Sequence, residues 1–281
     1  MKLFMYRLSL KETKQSSVFD RRNPDGSALS REQWLRSVFS TTFKFKHRGN
    51  DFFFVPENTA TIGINPLFIV GWIARDRSVV ERTAPWDGLD LTEHKSWRAA
   101  LLLLDPRHHE DGQKLALEAV GDVGKTSSIL ASLFNGDWGL DYTEPYSVLA
   151  FQILKGSSFA SFAEMHRGKI NEIVYDVAVP NMFEGPDDFS NELRVLRDEA
   201  NIARVVTKLQ SDGTINTDAT HLDDIANHVE KGGGEIRART VDGQKYNSSD
   251  NAVSEEIDTD GVEPTSQSYW QRVVGALDRI F

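Results

Sequence analysis

The sequence predicts a mixed fold of the α+β or α/β class, with an antiparallel, hairpin-rich N-terminal half and a ferredoxin-like βαβ C-terminal half that contains a mixed sheet. Two patterns support this prediction. Before residue 140, short runs of alternating apolar residues are separated by polar turns, with few helical repeats between them. Over residues 145–241, strand-like runs alternate with amphipathic helical repeats, which is typical of βαβ units.

The elements of the first half follow from turn and capping signals. Ser30 and Gln33 have the spacing of a capping box, which predicts a short helix that continues to about residue 40. The polar turn at residues 48–51 separates two apolar runs and predicts a hairpin. Strands are predicted over residues 2–10, 41–47, 52–55, 67–74, 98–104 and 113–120, and a second short helix over residues 126–134.

The second half has clearer periodicity. Strict alternation over residues 173–179 predicts a half-buried strand. Thr220 and Asp223 begin the clearest helix of the chain, and we expect Gly232 to Gly234 to end it in a left-handed conformation. The dipeptide Asp242-Gly243 predicts a two-residue hairpin turn. The other predicted elements are strands over residues 146–154, 202–209, 235–241 and 244–248 and helices over residues 158–167 and 186–200.

Composition divides the chain into four parts. We predict a hairpin-rich α+β unit over residues 1–140 and a ferredoxin-like βαβ unit over residues 141–248. Residues 249–266 are rich in Ser, Asn, Asp and Glu and are predicted to be an acidic disordered linker. Residues 267–281 are predicted to be an amphipathic C-terminal helix.

The apolar face of this C-terminal helix is a candidate partner-binding surface. Its residues recur at spacings of three and four and are Trp270, Val273, Val274, Leu277 and Phe281. A helix of about three turns is not stable alone in water. We therefore expect this face to dock on a protein partner or on a second copy of the chain, as a homodimer.

Composition also excludes several classes of protein. The chain of 281 residues has no cysteine, which excludes disulfides, thiolate metal sites and cysteine nucleophiles. The N-terminus lacks the uninterrupted apolar core of a signal peptide, and no apolar run approaches the length of about 20 residues that a membrane helix needs. We expect a cytoplasmic protein without membrane contact.

The charge of the chain is distributed unevenly. The formal net charge is −10, yet residues 1–50 hold 11 Lys and Arg against 4 Asp and Glu. Such a basic region predicts contact with the phosphate backbone of DNA or RNA without reading of the bases. The alternative interpretation is a solvated surface that keeps the protein dissolved. The candidate nucleic-acid-binding residues are Arg21, Arg22, Arg31, Arg36, Lys44, Lys46 and Arg48.

Motifs for catalysis are weak, so no catalytic residue, metal ligand or cofactor is predicted. Residues 121–126 resemble part of a P-loop, but Ala119 stands where the first glycine of that motif is required. The cluster His108 to Asp111 holds four adjacent side chains, which point in different directions from one turn and do not close a metal shell. A nucleotide enzyme stays an open alternative.

The layout of residues 97–248 resembles a known family. It contains Trp97-Arg98-Ala99-Ala100-Leu101-Leu102-Leu103-Leu104-Asp105-Pro106, then Lys114-Leu115-Ala116-Leu117-Glu118, and ends with Gly233-Gly234-Glu235-Ile236-Arg237-Ala238-Arg239. This layout resembles a family of uncharacterised prokaryotic and prophage proteins, some of which lie among phage-defence genes. In element order it is more distantly similar to the lambdoid exclusion protein RexA and to KwaB of the Kiwa defence system.

The resemblance implies a non-enzymatic, DNA-associating, dimeric protein that acts in phage–host conflict, as anti-phage defence or exclusion. Together with the basic N-terminal region, it makes a nucleic-acid-binding accessory protein our leading hypothesis. The alternative hypothesis is a protein–protein adaptor or an oligomerising regulator that docks through its C-terminal helix.

Overall fold

The computed structural model describes residues 1–13, 22–109, 112–123, 126–136, 144–179 and 188–281. Twelve strands lie within these ranges, six in each half of the chain. The strands are β1 (Lys2–Glu12), β2 (Phe43–His47), β3 (Asn50–Pro56), β4 (Ile69–Arg82), β5 (Leu91–Asp105), β6 (Gln113–Glu118), β7 (Tyr146–Gln152), β8 (Ile170–Ala178), β9 (Arg204–Gln210), β10 (Gly234–Thr240), β11 (Lys245–Asn247) and β12 (Ser254–Glu256).

The helices follow the capping signals in the sequence. The predicted capping box is confirmed, because the Gln33 amide donates to the Ser30 side chain and the Ser30 amide donates to the Gln33 side chain. Gly232 takes a φ of 81°, in the left-handed region, at the end of the helix that was predicted to begin at Thr220. The helices are α1 (Arg31–Val38), α2 (Thr59–Ile62), α3 (Thr126–Asn135), α4 (Ser158–Met165), α5 (Asp188–Ala200), α6 (Thr220–His228), α7 (Gln267–Val274) and α8 (Leu277–Ile280).

The larger sheet confirms the antiparallel N-terminal half and the α+β class. The strand order along this sheet is β12-β1-β6-β5-β4-β3-β2. The eighth strand, β7, pairs with residues 6–12 of β1, beyond the residues of β1 that pair with β12. Every pairing in this sheet is antiparallel. Because β7 belongs to this sheet, the unit predicted over residues 141–248 begins with a strand of the first sheet.

Both faces of the larger sheet are buried. On the first face, α1 and α3 cover a core that includes Trp34 and Phe134. On the second face, α7 and α8 cover a core that includes Leu101 and Trp270. The five consecutive apolar residues Ala100 to Leu104 of β5 are each at most 1% exposed, because alternate side chains point into these two cores.

The smaller sheet corrects the prediction for the C-terminal half. Its order is β11-β10-β8-β9, and all three pairings are antiparallel, so the mixed sheet is wrong and the ferredoxin-like arrangement is not confirmed. The physical reason lies in the connection through α5. The Val179 amide donates to the Ala203 carbonyl at 2.9 Å, so this connection leaves and returns at one end of the sheet instead of crossing it.

The structure also corrects the prediction of a disordered linker over residues 249–266. Ser254 to Glu256 pair with Lys2 to Phe4 as strand β12. Two acidic residues of the same segment make ion pairs with C-terminal arginines, Glu255 with Arg279 and Asp258 with Arg272. Ordering therefore comes from long-range contacts that the local composition does not show.

The C-terminal apolar face docks on the protein's own larger sheet. Trp270, Val273 and Leu277 are buried in the core of the second sheet face. Phe281 stacks on Phe68 with ring centroids 5.1 Å apart, and Val274 is 37% exposed. The predicted single helix is interrupted at residues 275–276, between α7 and α8. Four of the five predicted partner-binding residues thus serve internal packing.

Replacement of Trp270 tests this docking. We expect Trp270→Ala to lower the free energy of unfolding by about 3–5 kcal/mol, because the change removes a buried indole from a packed core. Urea unfolding measures the loss. Val274→Ala on the exposed side of the same helix is the matched control and should change stability by less than about 1 kcal/mol. Equal, small losses in both variants would contradict the docking.

Candidate nucleic-acid interface

Strands β4 and β5 extend far beyond their neighbours in the larger sheet. They pair continuously from Ile69 opposite Leu104 to Arg82 opposite Leu91. Strand β3 accompanies β4 only as far as Ala74, and β6 accompanies β5 only from Leu102 onwards. Residues 75–98 therefore form a two-stranded projection, the β4–β5 ribbon, whose strands run about 26 Å beyond the sheet at 3.3 Å per residue.

The predicted basic residues near α1 are used for local structure. The Arg36 guanidinium contacts Glu32 at 2.9 Å and donates to the carbonyls of Pro66 and Leu67. Arg22 donates to the Gly26 carbonyl at 3.1 Å. Arg31 is the first residue of α1, and Arg21 lies outside the described residues. Arg31 and Arg36 belong to α1 and therefore lie on the sheet face that α1 covers.

The predicted basic residues of β2 lie apart from that group. Phe45 is buried in the first-face core, so strand alternation directs Lys44 and Lys46 to the second face. Lys44 pairs with Asp51 at 2.7 Å. Arg48 is in the two-residue turn between β2 and β3, with a φ of 50°. Among the described residues, the predicted cations of α1 and those of β2 therefore do not form one patch.

Three arginines of the β4–β5 ribbon instead share one face, and Arg48 lies in the turn of the neighbouring β2–β3 hairpin. Arg75 and Arg77 of β4 and Arg98 of β5 lie on the same face as Ile73 and therefore on the first face. Arg75 is directly opposite Arg98 in the register of the two strands. We call Arg48, Arg75, Arg77 and Arg98 the cationic cluster.

Two members of the cluster, Arg48 and Arg75, act electrostatically on the same residue, His47. The pKa of His47 lies below its ordinary value. Burial is the largest cause, and the positive charges of Arg48 and Arg75 add to it. The His47 ring nitrogen Nδ1 shares a hydrogen bond with the Ser132 hydroxyl at 2.8 Å. Within the described ranges, no carboxylate lies within ion-pair distance of Arg48 or Arg75, and the Arg75 guanidinium lies 5.4 Å from the ring centroid of Phe52.

Sequence reasoning missed the ribbon arginines because it ended one strand at residue 74 and began the next at residue 98. Both faces of the intervening segment are in solvent, so the apolar alternation that marks a strand is absent. A usable signal was present in the turn Pro85-Trp86-Asp87-Gly88, where Gly88 has a φ of 86°.

The histidine cluster after β5 organises a buried carboxylate. The Asp105 side chain is fully buried and accepts hydrogen bonds from Arg107 at 2.6 Å and from His109 at 2.9 Å. Glu110 and Asp111 lie outside the described residues, as do Gly124 and Lys125 of the P-loop-like segment. No group of three or more His, Asp or Glu side chains suited to a metal ion occurs in the part of the chain that the structure describes.

Comparisons with known proteins give no family. No protein-family model matches the chain. A search of curated proteins finds no match either. None of the helices among the described residues is long and apolar enough to span a membrane.

The buried Asp105 makes stability depend on pH. Burial raises the pKa of Asp105, but hydrogen bonds from Arg107 and His109 lower it by more, so the folded-state pKa lies below the ordinary value. Its contribution is complete above the unfolded pKa of about 3.9 and is lost as the pH falls through the lower folded-state pKa.

We therefore expect Asp105→Asn to lower the free energy of unfolding by about 1.5–3 kcal/mol at pH 7, because charged hydrogen bonds are lost. Urea unfolding of both proteins between pH 7 and pH 2 should show the difference narrowing below about pH 4. A difference that stays constant over this range would contradict the pairing.

Proposed function

We propose that the protein is an accessory protein that binds nucleic acid through the phosphate backbone, without base specificity, and that the cationic cluster is its contact surface. One observation carries the proposal. Arg75 and Arg98 are directly opposite each other on neighbouring strands, with Arg77 on the same face and Arg48 in the adjoining turn.

This arrangement places several positive charges at the base of the ribbon. Like charges directly opposite each other in an antiparallel pair are destabilising. A row of phosphates relieves the repulsion, because each guanidinium offers several N–H donors in a planar fork that matches the oxygens of one phosphate. Release of counterions from the nucleic acid then favours binding.

The shape and charge of the ribbon favour contact with the backbone over reading of the bases. A two-stranded ribbon is narrow enough for the major groove of DNA. However, the distal ribbon carries Glu81, Asp87, Asp90 and Glu93 and only one arginine, Arg82. These carboxylates oppose entry of the tip into a groove lined by phosphates. The proposed contact is therefore at the base of the ribbon, across the backbone.

The net charge of −10 is compatible with this proposal because acidic residues such as those of β12 lie far from the cationic cluster. Glu255 and Glu256 belong to β12, at one edge of the larger sheet, whereas the β2–β3 hairpin that carries Arg48 is at the opposite edge. At physiological salt, charges more than about 8 Å apart are largely screened. A local positive surface therefore persists on an acidic protein.

Fluorescence anisotropy with a labelled 30-base-pair duplex tests the proposal. We expect binding at low salt, with log K falling against log salt by about 0.9 per neutralised phosphate. Arg75→Glu combined with Arg98→Glu should reduce this slope by about two and weaken binding at least tenfold at low salt, because two contacts are lost and two repulsive charges are added.

The binding experiment has two controls, a charge-reversed variant outside the cluster and a competitor duplex. Arg31→Glu, on α1, is the matched charge reversal outside the cluster and should bind like the unaltered protein. A duplex of unrelated sequence should compete equally well. Absence of binding at low salt, or an equal loss in the Arg31 variant, would contradict the assignment of the surface.

A role in phage–host conflict is the cellular part of the proposal, and it is supported by the resemblance of residues 97–248 described above. We expect a bacterial host that expresses the protein to plate phage with reduced efficiency, and the Arg75→Glu, Arg98→Glu variant to lose the effect. Equal plating efficiency with and without the protein, over a panel of phages, would contradict this role. Expression is checked by immunoblot.

A further inference from the structure

The β4–β5 ribbon exposes an unusual amount of apolar surface. Among the described residues, 12 large apolar side chains are exposed, and five of these lie in the ribbon. Trp86 at the tip is 85% exposed, and the others are Val80, Leu89, Leu91 and Trp97. Apolar surface that is concentrated in one projection indicates a contact with another molecule.

The register of the strands separates these apolar residues from the cationic cluster. Strand alternation places Trp97, Val80 and Leu91 on the second face of the ribbon, whereas Arg75 and Arg98 lie on the first. The second face consists of four cross-strand rows, and in order from the base they are Asp76 with Trp97, Ser78 with Lys95, Val80 with Glu93, and Arg82 with Leu91.

When the order of the four rows is reversed, the reversed series is complementary to the original one in charge and in apolar character. A two-fold axis across the ribbon, midway between the second and third rows, brings the first row of one chain onto the fourth row of the other. Along β4, Asp76 then faces Arg82 of the second copy. Along β5, Trp97 faces Leu91 and Lys95 faces Glu93 of the second copy.

We infer that the second face of the β4–β5 ribbon binds a second copy of this chain, with the two ribbons antiparallel and face to face. Every charged residue of the four rows then meets an opposite charge, and Trp97 meets an apolar side chain. A two-fold interface requires such reciprocity, because each contact occurs twice. A partner of unrelated sequence would match this reversed pattern only by coincidence.

The arrangement also accounts for the exposed tip. Because the ribbons run in opposite directions, the tip of one approaches the sheet of the other on the same face. There Trp97 packs edge-on against Phe53, with ring centroids 5.6 Å apart, and Val55 is 38% exposed. Trp86 of the second copy is thereby brought towards a surface that is already partly apolar.

Dimerisation by this face is independent of the proposed nucleic-acid contact. Sheets packed face to face lie about 10 Å apart, so the first faces of both ribbons point away from the interface. The two cationic clusters then lie on the outer sides of the paired ribbons. Failure of one proposal does not imply failure of the other.

A charge-swap experiment tests the inference. Variant I carries Arg82→Asp and Lys95→Glu, so every charged residue of its four rows is acidic. Variant II carries Asp76→Arg and Glu93→Lys, so every charged residue of its four rows is basic. In sedimentation velocity, the unaltered chain should form a concentration-dependent dimer, and each variant alone should sediment as a monomer. An equimolar mixture should regain the dimer, because every contact again joins opposite charges.

The mixture also controls for folding, since two misfolded variants do not restore a specific complex. The Arg75→Glu, Arg98→Glu variant should dimerise normally, which separates this surface from the nucleic-acid contact. An unaltered chain that stays monomeric at about 100 µM, well within the range of specific association, would overturn the inference. A dimer that both variants form individually would also overturn it.

Discussion

Burial of β5 on both sides is the constraint on which the rest of the structure depends. A strand with five consecutive buried apolar residues needs a packed layer on each face, because either face left in water exposes a row of Ala and Leu side chains. Helices α1 and α3 supply the first layer, and the C-terminal helices supply the second. The last residues of the chain are therefore part of the core. This requirement explains why an amphipathic segment suited to a partner is occupied internally.

The same central strands generate the candidate interaction surface. Beyond Ala74 and before Leu102, β4 and β5 lose their lateral neighbours but keep each other, so their pairing continues into solvent as a ribbon. Strand alternation then gives this ribbon two chemically different sides, one rich in arginine and one with apolar and oppositely charged residues. The two proposed contacts therefore belong to opposite sides of a single hairpin. The ribbon is anchored in the most deeply buried part of the sheet, so its base is held rigidly.

Local signals in the sequence predicted the elements they govern and missed what depends on distant partners. The Ser30 capping box, the Gly232 helix end and the strands within the cores were predictable, because capping geometry and apolar periodicity are local. The ribbon arginines were missed because a strand with solvent on both faces has no apolar period. Lys44 and Lys46 were candidates together with the α1 arginines, but the alternation of β2 places them on the other face of the sheet. The segment 249–266 was predicted to be disordered because its composition is polar. Its stabilising contacts, such as the ion pair of Glu255 with Arg279, involve residues elsewhere in the chain.

Strand β1 has a consequence for the order of assembly. It pairs with strands that begin at residues 113, 146 and 254, and the Met1 amino group donates to the Ile257 carbonyl at 2.8 Å. During synthesis, the part of β1 that binds β12 thus stays unpaired until residues 254–256 have left the ribosome. Closing loops of this length makes folding slow and highly cooperative, because the entropy is lost before the pairing is gained. Strand β1 is consequently the element of the described fold whose pairing depends on residues far along the sequence.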